Sequence, residues 1–330
     1  MTAKDYIELK QKEWAKRYTY IDKENIEDKK NIEKKLSLTN DDRYTKTYNE
    51  NLFEPLDEKI ENLFKNADGG ELNGEECKMA AVYSSSAICV NVFQYFYLLQ
   101  KEGKKEEAKK ILYALEVAED PKIEIKDENI LFEQKLHISD ISTPNIDVII
   151  KTTNNKVFAI ESKFREPYYY TPSNYIQEKY YKTNEIWNKL KNIKKNIDEL
   201  EEGYIEIEKD IMDQKTDIEK KEICVKKIFP HFKRLNAAQL IKHLLGLFND
   251  NQNNDKIIKD NIRLVYLYYD VPGNIGEEHR KEIKEFSEVI KKDNIKFTPI
   301  SYQELIFNLN NLLTDDNHKE YLNYINSRYL

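Results

Sequence analysis

The stretch that decides the fold is residues 146–163, IDVIIKTTNNKVFAIESK, in which two hydrophobic runs flank a short polar segment. The runs 146–150 and 157–164 each predict a β-strand, because β-branched and aromatic residues dominate them. Between the runs lies 153–156, whose two asparagines tolerate positive φ and therefore favour a tight turn. The stretch predicts two antiparallel strands joined as a hairpin.

Acidic and basic side chains lie on one face of this hairpin. Residues two apart on a strand point the same way, so Glu161 and Lys163 share a face. If the turn centres on Asn154, Asp147 lies opposite Glu161, and facing side chains are roughly 5 Å apart. Two carboxylates at that distance repel each other unless a divalent cation lies between them. A lysine beside them could neutralise the site, orient a water or stabilise a pentacovalent phosphate.

The Glu-x-Lys triplet is informative only through its context, because the chain contains many such triplets. The one strand-like competitor, Glu124-Ile125-Lys126, has no acid on an upstream partner strand. Two interpretations stay open for the triplet at 161–163. It belongs to a metal site, or to a surface cluster in which Lys163 neutralises acids across the strands.

The pattern on either side of the hairpin alternates between strands and helices. A strand is predicted before the hairpin, and two more strands follow it with helices between them. An uncharged helix precedes the strands, and an amphipathic helix separates the hairpin from the later strands. The predicted strands are 130–138, 262–269 and 297–300, and the predicted helices are 79–100, 106–118, 235–249, 277–292 and one from Tyr302.

The composition limits the class of protein. A chain of 330 residues is long enough for one large domain or two ordinary ones. Its 13 Phe, 23 Tyr and 2 Trp can form a core, which excludes wholesale disorder. The net charge of −7 excludes a generically basic nucleic-acid coat. Three widely spaced cysteines without metal-binding spacing indicate reduced thiols in a cytoplasmic protein.

The uncharged segment 79–100 is predicted to be a buried helix of a water-soluble protein rather than a membrane span. It contains three serines, an asparagine and two glutamines, and a bilayer core penalises such polar groups. The N-terminus is polar and of mixed charge, which excludes a signal peptide. We therefore expect no contact with a membrane.

Two regions are predicted to lie outside the core. Residues 1–70 are charge-dense and read as a solvated N-terminal helical extension, and residues 165–230 read as a helical insertion. Within the insertion, apolar residues recur at alternating spacings of four and three, which is typical of a coiled coil. Either an intramolecular arm or a homodimerisation arm over 186–211 fits this spacing. The apolar positions are Ile186, Leu190, Ile193, Ile197, Leu200, Tyr204, Ile207 and Ile211.

A basic segment offers a nucleic-acid contact. Residues 179–195 hold six lysines against one acid, and tyrosines and a tryptophan interleave with them. Lysines bind backbone phosphates, and aromatic rings stack on exposed bases. A solvated face in a Lys- and Tyr-rich chain is the alternative interpretation. The predicted contacts are Lys179, Lys182, Trp187, Lys189 and Lys191.

Several short stretches of the chain resemble a bacterial family of restriction endonucleases within the PD-(D/E)XK nuclease superfamily. The resemblance covers much of residues 75–310 and leaves out 1–70 and the helical insertion. The proline of the superfamily's name does not directly precede Asp147, because Pro144 lies three residues earlier. The stretches are Ser84–Ala87 continuing to Val90-Asn91, Phe132-Glu133, Pro144–Asp147, Ile160–Phe164 with Glu166-Pro167, Ala237–His243 and Ile300–Tyr302.

This resemblance implies an α/β fold with a restriction-endonuclease-like αβββαβ core on a mixed sheet. The segments 79–100 and 235–249 would be its first and second helices. The chain would divide into the extension 1–70 and a nuclease domain 71–330 that carries the insertion 165–230.

The resemblance also assigns roles to the site. Asp147 and Glu161 would hold Mg²⁺, for which Mn²⁺ would substitute, and Lys163 would serve the attacking water. Glu133 would complete the metal shell or remain a surface glutamate. Gln239 would face the site and bind a phosphate or Lys163, or remain a helix-surface amide. His243, on the same helix, is predicted to be a core or boundary residue rather than a base.

The expected function is Mg²⁺-dependent hydrolysis of DNA phosphodiesters. A role in restriction or phage defence is implied by the resemblance alone. Two alternatives remain: a non-catalytic nucleic-acid-binding module on the same fold, and an oligomerising protein whose active feature is the arm 186–211.

Overall fold

The fold is known from a computed structural model, which describes residues 2–24, 36, 38–39, 42–67, 69–74, 77–138, 144–182, 186–210, 218–249 and 259–330. Within these ranges the α-helices are α1 (Ala3–Glu24), α2 (Glu58–Asn66), α3 (Ser85–Lys101), α4 (Lys105–Ala108), α5 (Lys110–Ala114), α6 (Glu166–Tyr169), α7 (Glu178–Tyr181), α8 (Lys191–Asp198), α9 (Ala237–Asn249), α10 (Asn274–Lys291), α11 (Tyr302–Leu312) and α12 (Lys319–Tyr329). The strands are β1 (Ile125–Lys135), β2 (Asn145–Thr152), β3 (Val157–Lys163), β4 (Tyr175–Gln177), β5 (Glu202–Asp210), β6 (Ile218–Lys227), β7 (Ile262–Tyr268) and β8 (Lys296–Ser301). Short 3₁₀ turns occur at Tyr48–Asn51, Lys78–Ala80, Ile186–Lys189, Lys259–Asn261 and Asp316–His318.

The described strands form two sheets. The main sheet has the order β1-β2-β3-β7-β8, in which β2 is antiparallel to β1 and β3, whereas β7 is parallel to β3 and β8. The smaller sheet has the antiparallel order β4-β6-β5. The predicted mixed α/β class is confirmed. Along the chain, α3 precedes the three strands β1–β3, and α9 separates them from β7.

The β2–β3 hairpin has the turn that its sequence predicts. Asn155 adopts a φ of 60°, a conformation that asparagine tolerates better than most residues. The hydroxyl of Thr152 accepts a hydrogen bond from the backbone N–H of Lys156 at 2.9 Å, which closes the turn. The resulting register pairs Val148 with Ile160. The turn therefore fixes which side chains of β2 and β3 face each other.

The main sheet is buried on both faces. Phe158 and Ile160 point into one hydrophobic cluster, and Val157 and Ala159 point into a second cluster on the opposite side. The first cluster includes residues of α1–α5, α11 and α12, and the second includes residues of α8, α9 and α10. A charged side chain on either face of β3 therefore lies between the sheet and a layer of helices.

The helical arm predicted from heptad spacing over 186–211 is wrong. The segment begins with a 3₁₀ turn and the short helix α8, and then continues as strand β5 in the smaller sheet. From Tyr204 to Glu208 apolar and acidic residues also alternate with period two, and β6 supplies a partner strand for that pattern. Ile211 lies outside the described residues. The heptad positions Ile186, Leu190, Ile193 and Ile197 are instead buried in the second cluster.

Several described residues of 1–70 pack into the main core, so the expectation of a solvated extension is wrong for this part of the chain. Ile7 and Trp14 of α1 and Phe64 of α2 are buried in the cluster that lines the first face of the sheet. Residues 25–35 lie outside the described ranges.

Helix α3, which contains most of the uncharged segment, lies inside the protein, and its polar side chains form hydrogen bonds with neighbouring backbone. Asn91 Oδ1 accepts from Phe53 N at 2.6 Å, and Gln94 Oε1 accepts from Asp57 N at 3.0 Å. These bonds satisfy amide groups that a bilayer would leave unpaired. Among the described helices, none is both long and apolar enough to cross a membrane.

A buried arginine connects the two ends of the described chain. Arg328 of α12 is 1% exposed, and its guanidinium donates to Asn51 O at 2.7 Å and to Val82 O at 3.0 Å. Its Nε donates to Gln11 Oε1 of α1 at 3.1 Å, and its Cζ lies 4.5 Å from the centroid of the Trp14 ring. One side chain therefore joins α1, α12 and the loops that precede α3.

Replacing this arginine should destabilise the whole fold. Arg328→Met removes the guanidinium and leaves several buried oxygen atoms without donors, so we expect a loss of roughly 3 kcal/mol or more of unfolding free energy. Urea unfolding followed by circular dichroism measures it. The matched control is Arg17→Met, at an arginine whose side chain is 79% exposed, and it should change little. An equally small change in both variants would contradict the role of Arg328.

Candidate functional site

The predicted acids and lysine lie at one edge of the main sheet, where β1, β3, β7 and β8 end and β2 begins. The register pairs Val148 with Ile160, so Asp147 and Glu161 are the next residues along the two strands, and the charge of Glu161 acts on Asp147. Glu161 and Lys163 lie on the face of β3 that is covered by α9 and α10. The sequence therefore predicts the register of the hairpin correctly.

On the covered face, the Glu161 carboxylate lies between the side chains of Lys163 and His243. Its side chain is 1% exposed, with Oε1 2.5 Å from Lys163 Nζ and Oε2 2.9 Å from His243 Nε2. Neither contact has the angles of a directed hydrogen bond. Burial alone would raise the pKa of Glu161, but Lys163 and His243 outweigh it and hold the pKa at about 2. The buried carboxylate is therefore ionised at neutral pH.

Lys163 remains a cation in this setting. Burial alone would lower its pKa, but the charges of Glu161 and Asp147 outweigh burial and keep the pKa above the ordinary value. An ammonium that stays protonated cannot take a proton from water. It can donate hydrogen bonds to an oxygen of water or phosphate.

Asp147 has acids on both neighbouring strands. Its Oδ2 accepts a hydrogen bond from Ser162 N at 2.6 Å. Glu161 lies opposite it on β3, and the register of β1 sets Glu133 opposite it on the other side. Burial, followed by the charge of Glu161, raises the pKa of Asp147 well above its ordinary value. Additional positive charge would favour ionisation of this carboxyl group.

Glu133 is conformationally strained as well as electrostatically unfavourable. Its φ is 48°, in the left-handed region that non-glycine residues avoid, although it lies within β1. Burial, followed by the charges of Glu71 and Glu161, raises the pKa of Glu133 to about 7. Glu71, from the loop before α3, accepts a hydrogen bond from Ser86 Oγ at 2.7 Å. Glu71 is therefore a fourth acid whose negative charge acts on the site.

Helix α9 approaches the site closely because it carries a glycine. A Cβ atom at Gly246 would lie 2.5 Å from Leu136 Cβ, so a larger residue there would push the helix away. One turn earlier, His243 is fully buried and contacts Glu161. Gln239 lies a further turn back, is half-buried, and its side chain makes no hydrogen bond to a described residue. The spacing of four residues puts Gln239 on the same side of α9 as His243.

Sequence reasoning missed two members of this site. It predicts His243 as a core residue, and the structure buries His243 but also brings its ring to Glu161. Glu71 carried no signal beyond being an acid before the serine-rich start of α3. The stretch Ile300–Tyr302, one of those that carry the resemblance, also contacts β3. Tyr302 OH lies 2.6 Å from Ser162 Oγ and joins α11 to the face of β3 opposite Glu161.

The aromatic residues predicted to contact nucleic acid are mostly buried. Trp187 is 3% exposed, and its Nε1 donates to Tyr180 O at 2.8 Å. Its ring therefore cannot stack on a base, which corrects the prediction for this residue. Tyr169 and Tyr170, which follow β3, are instead exposed.

The predicted lysines occupy different environments. Lys191 is exposed, and Lys182 pairs with Glu178 on α7. Lys189 Nζ lies 5.2 Å from the centroid of the Phe248 ring. Lys179 is half-buried beside Tyr180, and its charge acts on Lys242 of α9.

The donor chemistry suits a hard divalent cation. Asp147 and Glu161 supply carboxylates, the ligands that Mg²⁺ prefers, and both oxygens of Glu161 are buried without a directed hydrogen bond. Oδ1 of Asn145, at the start of β2, is also buried and accepts no hydrogen bond from a described residue. Within the described ranges, no three His, Cys, Asp or Glu residues are arranged to hold a metal ion by themselves. Mg²⁺ commonly binds through one or two carboxylates and takes its other ligands from water and substrate phosphate.

Comparison with known proteins gives one match. The model of the family described as "Restriction Endonuclease associating with ARP" matches residues 11–330. That range contains every residue of the candidate site, and also most of 1–70 and all of 165–230, which the resemblance had left out. No curated protein and no solved structure gives a significant match.

The Glu161–Lys163 pair should show strong energetic coupling. Lys163→Met leaves the buried Glu161 carboxylate with one partner fewer, so we expect a loss of about 3 kcal/mol of unfolding free energy. Adding Glu161→Gln should recover part of that loss, because the unpaired charge is gone. Urea unfolding of the two single variants and the double variant measures the coupling. Additive losses would show that the two side chains do not interact.

The stability effect of Glu133 should depend on pH. Its pKa is raised in the fold, so the ionised form destabilises the protein above the folded pKa, and the effect vanishes below the unfolded pKa. Glu133→Gln should therefore stabilise the protein by about 2 kcal/mol near pH 8 and hardly at all near pH 4.5. Chemical unfolding in EDTA at both pH values measures the difference. An equal change at both would contradict the raised pKa.

Proposed function

The chain belongs to the family described as "Restriction Endonuclease associating with ARP", and on that premise we propose that it is a metal-dependent DNA endonuclease. The observation that carries the proposal is the facing of Asp147 and Glu161 at the sheet edge, with Lys163 against Glu161. The order of α3, β1–β3, α9 and β7 supports the proposal, because the PD-(D/E)XK core has the order αβββαβ.

Mg²⁺ is the proposed cofactor, with Asp147 and Glu161 as its protein ligands. Glu133 is an additional acid of the same site, and its raised pKa is what a nearby cation would reverse. A bound Mg²⁺ would supply Lewis-acid polarisation of a phosphate oxygen and would lower the pKa of a water.

The chain's own residues position and neutralise the reacting groups. The Lys163 ammonium can donate to the attacking water or to a phosphate oxygen, and its fixed charge offsets charge that builds up on phosphorus-bound oxygens. His243 holds the second oxygen of Glu161 and so limits rotation of that carboxylate. Gln239, which the four-residue spacing puts on the same side of α9, is the residue proposed to bind a substrate phosphate.

The proposed reaction is hydrolysis of a phosphodiester. The oxygen of water bonds to phosphorus as the bond from phosphorus to the leaving sugar oxygen breaks. The proton released by water is balanced by the proton gained by the leaving oxygen. The products are one phosphate-ended strand and one hydroxyl-ended strand.

Removing any of the three central side chains should abolish cleavage. We expect Asp147→Ala, Glu161→Ala and Lys163→Ala each to reduce Mg²⁺-dependent cutting by about 10³-fold or more, since each removes a ligand or the fixed cation. The assay uses plasmid, linear duplex and single-stranded DNA with Mg²⁺, with Mn²⁺ and with EDTA. Circular dichroism of each variant checks that it is folded.

The matched control is the other strand-like Glu-x-Lys triplet, Glu124-Ile125-Lys126, whose charged residues are exposed. Glu124→Ala and Lys126→Ala should cut as the wild type does. Full activity of Glu161→Ala, or cutting that persists in EDTA, would refute the proposal. DNA binding without cutting by the wild type would instead support a non-catalytic nucleic-acid-binding protein. A role in restriction or phage defence is proposed on the same premise, and its test is the survival of phage-challenged cells that express the wild type or Lys163→Ala.

A further inference from the structure

Lys242 is a half-buried cation for which the described structure provides no counter-ion. It lies on α9, and its ammonium makes no hydrogen bond or ion pair with any described residue. The ammonium lies over the ring of Tyr180, with Nζ 5.8 Å from the ring centroid. A half-buried lysine usually has a partner, because burial disfavours its charge.

A second lysine approaches the same aromatic ring. Lys179 Nζ lies 5.1 Å from the centroid of Tyr180, so both ammonium groups surround one buried tyrosine. Burial, followed by the charge of Lys179, lowers the pKa of Lys242. The fold thus sets a second positive charge beside an ammonium group that has no described counter-ion. An anion bound at Lys242 would favour its charged form.

This pair of lysines lies beside the candidate active site. Lys242 directly precedes His243, whose Nε2 is 2.9 Å from Glu161 Oε2. The charge of Glu161 also acts on Lys242 and partly opposes the effect of Lys179. An anion held here would therefore lie close to the carboxylates proposed to hold the metal. Lysine binds phosphate as a compact charge with three donors.

We propose that Lys179 and Lys242 form a binding site for a backbone phosphate of nucleic acid that flanks the phosphodiester being cleaved. The inference rests on the proposed function and adds a second contact point for its substrate. Tyr180 forms the floor of this site, and α7 and α9 supply one lysine each. The site would position the strand in addition to attracting it, because its two cations belong to separate elements.

The test is Lys242→Met, which keeps the aliphatic stem and removes only the charge. Binding of a short fluorescent DNA duplex is measured by anisotropy in the full-length protein, in EDTA so that no cutting occurs. We expect affinity to fall about tenfold at moderate salt, and the slope of log affinity against log salt to decrease by about 1. The matched control is Lys195→Met, at a lysine of the same basic segment whose side chain is 76% exposed. Equal weakening by Lys195→Met would overturn the proposal, because it would mean that a general basic face binds DNA.

A second readout separates binding from structure. Because the two ammonium groups repel each other, Lys242→Met should melt at the same or a higher temperature while it binds DNA more weakly. A lower melting temperature with unchanged DNA affinity would show that Lys242 is structural, and it would overturn the proposal. Inorganic phosphate is the comparison ligand. If phosphate alone stabilises the wild type as much as the duplex does, and Lys242→Met abolishes both effects, the site binds a free anion and the nucleic-acid proposal fails.

Failure of this inference differs from failure of the proposed function. If the wild type neither binds nor cuts DNA, the proposed function is wrong. If the wild type cuts DNA and Lys242→Met binds it equally well, only the proposed phosphate site is wrong.

Discussion

The site depends on one constraint: the negative charge of a carboxylate buried on the covered face of the sheet must be stabilised by neighbouring side chains. Glu161 is at the end of β3 on the face packed against α9, so water cannot solvate it. Lys163 and His243 supply the compensation, one from the same strand and one from the covering helix. The charge of Glu161 therefore links the position of α9 to the hairpin, and the close approach at Gly246 lets the helix reach it.

The acids of the site differ in how well neighbouring groups stabilise their negative charge. Lys163 and His243 keep Glu161 ionised, while Asp147 and Glu133 have their pKa values raised by burial and by neighbouring acids. The backbone of Glu133 is strained as well. Proteins retain such unfavourable arrangements mainly where they bind or react with something. These acids concentrate negative charge in one place, and Lys242 lies nearby without a described counter-ion, which supports the proposed ligand of a divalent cation with phosphates.

Local patterns in the sequence were sufficient to predict the hairpin and its register. The two hydrophobic runs predict the strands β2 and β3, and the asparagine turn predicts which of their residues face each other. The sequence alone was therefore enough to pair Asp147 with Glu161. The prediction of a helical arm over 186–211 was wrong because the apolar residues there fit both a heptad pattern and a period-two strand pattern. Only pairing with the strand β6 decides between the two. The contact of His243 with Glu161, the charge of Glu71 on Glu133 and the burial of Trp187 depend on packing between distant segments. A local pattern carries no information about such packing.

The buried guanidinium of Arg328 has a consequence for how the chain is made. Its partner on α1, Gln11, is 317 residues away along the chain, so this contact cannot form until α12 has been synthesised. Until then the side of α1 that packs against α12 lacks that partner and can contact other chains. A chain that stops short of residue 328 lacks the group that joins its two ends.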